Sequence, residues 1–85
     1  MSTEMLTDDE VKAAFSANVS RLLEEQGHSI YWLRKEIGVG EGTIYPIVRG
    51  KVVPSVAISS RIAEALGVAI DDLIEPAVVS SGRKK

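Results

Sequence analysis

Residues 28–51 read HSIYWLRKEIGVGEGTIYPIVRGK. In the first half Ile30, Leu33 and Ile37 recur at steps of three and four, which places them on one face of an α-helix. Ser29 stands where an N-cap is favoured, and Gly38 where a helix stops. In the second half Ile44, Ile47 and Val48 mark another inward face, on a helix that begins near Gly40 and ends at Gly50. Only Gly38-Val39-Gly40 joins the two. The second helix has an unusual outer side, since Gly42 and Pro46 lie one turn apart on it.

The same signals continue in both directions. Upstream, Thr7 and Glu10 form a T-x-x-E capping box. Val11, Phe15, Val19 and Leu22 follow at helical spacing, and Gly27 ends that helix. Downstream, Pro54-Ser55 opens a fourth helix with Val56, Ile62, Ala63 and Leu66 inward and Gly67 as its stop. A short fifth turn covers Ile70–Ile74, with Asp71 and Asp72 near its positive end and Pro76 closing it. No strand pattern and no repeat occurs. The reading is all-α: one domain over residues 7–76, between a flexible N-terminus (1–6) and a flexible basic tail (77–85).

Composition narrows the function. Eighty-five residues allow one small domain with a marginal core, for which dimerisation is a plausible source of extra burial. There is no cysteine and a single histidine, His28. Neither a disulfide framework nor a zinc site follows, and no cofactor is implied. No signal peptide and no bilayer-spanning run is visible, so a cytoplasmic protein is expected. The net charge of −2 is unevenly spread. Residues 28–52 carry Arg34, Lys35, Arg49 and Lys51 against Glu36 and Glu41, and the tail adds Arg83, Lys84 and Lys85. The flanking helices are acidic. Local sign governs contact with phosphates more than net charge does.

A short glycine turn between two short helices is the helix-turn-helix arrangement. The pieces GHSIYWLRKEIGVG, TIYPIVRGK, PS, IAEALGV and DDLI occur in this order along the chain. Together they resemble the phage-repressor and Cro type of helix-turn-helix, the Xre-like family. The resemblance implies a compact five-helix, lambda-repressor-like domain. It implies binding of double-stranded DNA, commonly as a homodimer on paired half-sites, by a transcriptional regulator of repressor type. The third helix, about 41–49, would lie in the major groove, and the second would cross the backbone.

Departures from the family pattern matter as much. Ile30 stands where a polar residue often meets phosphate. Arg34 stands where a small Ala usually packs between helices two and three, so its stem must snorkel outward or the helices must spread. Leu23 and Val48 occupy positions that often form an Arg–Glu pair, and the two apolar residues are expected to touch. Ser59 falls where helix four usually turns an apolar residue inward. Either it sits in a thin core, or Ile58 is exposed and marks an interface that helix five, Val78 and Val79 extend.

On the third helix, residues 41, 42, 45, 46 and 49 face outward. Pro46 removes the hydrogen bond to the Gly42 carbonyl, a loss of about 3 kcal/mol in an ordinary helix interior. Gly42 can shift its backbone to relieve the clash. A later start with Thr43 as cap would avoid the loss altogether. Base reading is assigned to Glu41, Gly42, Thr43, Tyr45 and Pro46, and phosphate contact to Tyr31, Lys35, Arg49 and Lys51.

Blander readings compete. Tyr31, Trp32 and Tyr45 suit a protein-interaction module on the same scaffold, such as an antitoxin or anti-repressor. Trp32 also fits as packing over the junction of helices one and two, with His28 packing at a helix start. Glu24-Glu25 and Asp71-Asp72 read as solvated helix surface rather than catalytic pairs. GVGEG lacks the strand and the Lys-Ser/Thr ending of a phosphate loop. No catalytic residue, small-molecule substrate or membrane partner is indicated, and the protein is not read as an enzyme.

Overall fold

The computed structural model describes residues 7–75. Among them the chain forms five helices and no strand: α1 (Asp8–Gln26), α2 (Ile30–Ile37), α3 (Glu41–Val48), α4 (Val56–Leu66) and α5 (Ile70–Ile74). The segments read as flexible, 1–6 and 77–85, and Pro76, Val78 and Val79 within or beside them, lie outside the described residues.

The helices start where the sequence supplies caps. Thr7 Oγ1 accepts from the Glu10 amide at 3.1 Å, and Glu10 Oε1 accepts from the Thr7 amide at 2.9 Å. Ser29 Oγ accepts from the Trp32 amide at 3.0 Å, and Ser55 Oγ from the Ile58 amide at 3.1 Å. At α5 the Asp72 carboxylate accepts from the Ala69 amide at 3.1 Å. Gly27, Gly38 and Gly67 close α1, α2 and α4 in the left-handed conformation. These short-range bonds satisfy amides and carbonyls that a helix end leaves without partners.

α1 is the spine. It packs against α3 and α5, α2 packs on α3 and α4, and α4 meets α5. Phe15, Val19, Leu33, Ile44, Ile62 and Leu73 are the largest fully buried side chains, so every helix sends at least one residue to the centre. Leu23 and Val48 are both buried in that cluster. An apolar pair there leaves no buried charge to compensate.

Tertiary bonds supplement the local caps at the far end of each shorter helix. Arg61 donates to the Ile37 carbonyl at the end of α2, at 3.4 Å. The Ser16 hydroxyl donates to the Val48 carbonyl at the end of α3. Gln26 Nε2 donates to the Leu66 carbonyl at the end of α4, at 2.8 Å. Asn18 Nδ2 donates to the Leu73 and Glu75 carbonyls at the end of α5, each at 2.8 Å. Asn18 is only 2% exposed and also accepts from Arg21 at 3.3 Å. Replacing Asn18 with Leu leaves those carbonyls short of a donor away from bulk water. The expected cost is about 1–3 kcal/mol, read as a lower urea midpoint at an unchanged slope.

One expectation is corrected in α4 and one alternative is decided there. Val56 does not face inward: it is 81% exposed. Val52, Val53, Ser55 and Ala57 are exposed as well, so nothing covers the start of α4 on the side that Val56 faces. Its inward stripe is Ser59, Ile62, Ala63 and Leu66. Of the two alternatives for Ser59, the structure adopts the thin core: Ser59 is buried, and Ile58 is half-buried against the same cluster.

Candidate nucleic-acid interface

α3 begins at Glu41 with Gly40 as N-cap, not at a Thr43 cap. Pro46 therefore lies inside the helix, and the amide that would bond the Gly42 carbonyl is absent. Gly40 has no side chain to cap with, and its carbonyl receives both the Thr43 and the Ile44 amides at 3.1 Å. The N-terminal half of α3 is thus the irregular half.

Its C-terminal half is anchored. The Lys51 amide donates to the Pro46 carbonyl at 2.8 Å and the Gly50 amide to the Ile47 carbonyl at 3.1 Å. That pair of bonds needs a left-handed residue, and Gly50 has φ 77. A Cβ at Gly50 would stand 3.4 Å from Ser16 Cβ and 3.5 Å from the Lys12 carbonyl, so the backbone is seated close against α1. Together with the Ser16–Val48 bond, this fixes one end of α3 on the spine while its start projects.

The inward residues of α3, Ile44, Ile47 and Val48, are buried. Glu41, Gly42 and Thr43 are exposed, Tyr45 and Pro46 are half-buried, and Arg49 and Lys51 are exposed beyond the helix end. On α2, Lys35 is exposed and Tyr31 is 58% exposed. The Arg34 guanidinium lies 5.1 Å from the Tyr31 ring centroid and Lys35 Nζ 5.8 Å from it. The Arg49 guanidinium lies 5.3 Å from the Tyr45 ring. Arg34 is half-buried, so its stem runs along the helix and its head reaches a tyrosine face, the snorkelling alternative.

Among the described residues the ion pairs are Lys12–Asp9 at 3.8 Å and Arg21–Glu25 at 3.3 Å, both within α1. Arg34, Lys35, Arg49 and Lys51 are in neither. Their charge is not consumed by a described carboxylate. Glu41 at the tip of α3 and Glu36 on α2 are the exposed carboxylates of these two helices, while Asp8, Asp9, Glu10, Asp71 and Asp72 belong to α1 and α5.

The other aromatics are less available. The Trp32 ring stacks on His28 with centroids 3.6 Å apart and planes 5° from parallel. Both are half-buried, and Trp32 packs against the core. Tyr31 is the one strongly exposed aromatic among the described residues. Among those residues no group of three or more histidines and carboxylates is placed to hold a metal. No described helix is long and apolar enough to cross a membrane.

Residues 19–73, more than half the chain, match the model of a family described as helix-turn-helix, HTH_3. Among solved structures the fold is similar to a hypothetical transcription factor, NHTF, from Neisseria, with a TM-score of 0.75. That likeness covers 93% of this chain and 92% of the other at 21% identity, and is one of fold. An HTH_3 family transcriptional regulator from Vibrio cholerae gives a TM-score of 0.72 at 25% identity, over 92% of this chain. Here the match spans 45% of the longer protein. No curated protein matches the chain.

Proposed function

The chain belongs to the HTH_3 helix-turn-helix family, and from that premise we propose that it is a DNA-binding transcriptional regulator of repressor type, acting as a homodimer on paired half-sites. The observation that carries the reading is the state of α3. Its apolar face is buried, its other face is uncovered, and cations in no described ion pair stand on α2 and just past the end of α3. Lys35, Arg49 and Lys51 suit phosphate oxygens, with the Tyr31 hydroxyl as a further donor. Glu41, Gly42, Thr43, Tyr45 and Pro46 face base edges. Glu41 accepts from a cytosine amine, and Thr43 or Pro46 meets a thymine methyl. With no side chain at Gly42 and no donor on Pro46, discrimination by direct contact is modest.

The rival, a protein-binding surface on the same scaffold, needs Tyr31, Trp32 and Tyr45 together. Only Tyr31 is strongly exposed, while Trp32 is stacked on His28 and Tyr45 is covered by Arg49. The smallness of the core and the pairing of half-sites in the family favour the dimer. A duplex selected from a random pool, titrated into 15N-labelled protein, tests both parts. Amide shifts are expected at residues 40–51 and 31–35, saturating at two chains per duplex. Shifts confined to other helices would remove the DNA reading, and saturation at one chain would remove the dimer.

A further inference from the structure

We propose that the main-chain carbonyl of Gly42 is itself a base-reading group, an acceptor for the exocyclic amine of cytosine or adenine in the major groove. The inference rests on the DNA reading above and concerns how that surface discriminates.

Three observations meet at this atom. Pro46, four residues on, has no N–H, so the carbonyl lacks the partner that every regular helix supplies. A proline ring inside a helix also crowds the carbonyl four residues back. Second, Gly42 is exposed, and a Cβ built on it meets nothing within 4 Å. A flat base edge can therefore approach the backbone there. Third, no side chain of a described residue donates to this oxygen. The same turn contributes a second acceptor, the exposed Glu41 carboxylate, and no amide or guanidinium side chain.

In the major groove only cytosine N4 and adenine N6 present N–H donors, whereas guanine and thymine present acceptors there. Apart from the Thr43 hydroxyl, which donates or accepts, this tip offers acceptors, and acceptors select amines. A carbonyl held by the helix also needs no rotamer to be fixed on binding, unlike the side chain it replaces. Glycine and proline thus supply together a contact that neither supplies by its side chain.

The test compares Pro46→Ala and Gly42→Ala with the unchanged protein in selection from random duplexes, with thermal melting of each. Alanine at 46 restores the amide and closes the bond to Gly42. Pro46→Ala is expected to melt higher than the parent, so misfolding does not confuse its result. Pro46→Ala is expected to lose preference for one cytosine or adenine by about three- to tenfold. Methylating that amine in the parent's preferred site, which turns a methyl into the groove, is expected to reproduce the loss. Where the base is adenine, changing its paired thymine to deoxyuridine is expected to leave affinity intact.

An unchanged preference in Pro46→Ala overturns the proposal while leaving DNA binding standing. A loss reproduced by deoxyuridine overturns it too, because the proline ring would then be reading the methyl. A parent protein that binds no duplex overturns both this inference and the function it rests on.

Discussion

Changing Ile44 to Ala is expected to lower the unfolding free energy by about 2–5 kcal/mol. Ile44 is 0% exposed and sits on α3, which packs against both α1 and α2. Truncation removes transfer energy and leaves a cavity that three separately anchored helices close only in part. A chain of this length commands a total stability of roughly 4–13 kcal/mol, so the loss is a large share of it. The effect reaches function through the same helix. Thr43 and Tyr45 flank Ile44 and face outward, and they hold their positions only while its side chain is seated. Urea denaturation followed by circular dichroism measures the first effect, and duplex affinity at a temperature near the variant's melting point measures the second. A loss under about 1 kcal/mol would mean that α3 is not packed as described.

The largest expected effect on binding comes from removing Lys35, Arg49 and Lys51 together as alanines. All three are exposed, and none is in a described ion pair, so folding loses little. Each phosphate contact contributes about one unit of slope in the dependence of log affinity on log salt. The triple variant is expected to bind about ten- to a hundredfold more weakly at low salt and to show a nearly flat salt dependence, with an unaltered melting temperature. Arg49 also covers Tyr45 and Lys35 approaches Tyr31, so the single variants carry a small additional loss of ring contact. Equal affinity for parent and triple variant would place the phosphate contacts elsewhere.

Most of the fold was legible in the sequence because local chemistry fixes it. Thr7 with Glu10, Ser29 and Ser55 announce three helix starts, and Gly27, Gly38 and Gly67 announce three ends. The spacing of Ile44, Ile47 and Val48 gave the buried side of α3 and, by subtraction, its open side. Long-range information was harder to see. Asn18 looks like a polar interruption of the α1 stripe, and nothing near it indicates that its partners are the carbonyls of Leu73 and Glu75. Ser16 and Gln26 are equally mute about Val48 and Leu66. Val56 misled because helical periodicity says which way a residue points, not whether anything is there to cover it. Arg34 had two outcomes in the sequence, and the choice depended on Tyr31 standing within reach. The start of α3 was ambiguous for a physical reason too. A glycine cap and an internal proline each weaken the signal, and the far end is held by the seating of Gly50 against Ser16 and by the Ser16–Val48 bond.

The central claim is that the open side of α3 and the cations beside it settle on a polyanionic duplex. Affinity for a duplex, measured from low to moderate salt, reads that claim directly. The expected result is a steep linear decline of log affinity with log salt, with a slope of about −3 for one chain and about −5 for two. Affinity that hardly changes with salt, or no binding at the lowest salt, would contradict it.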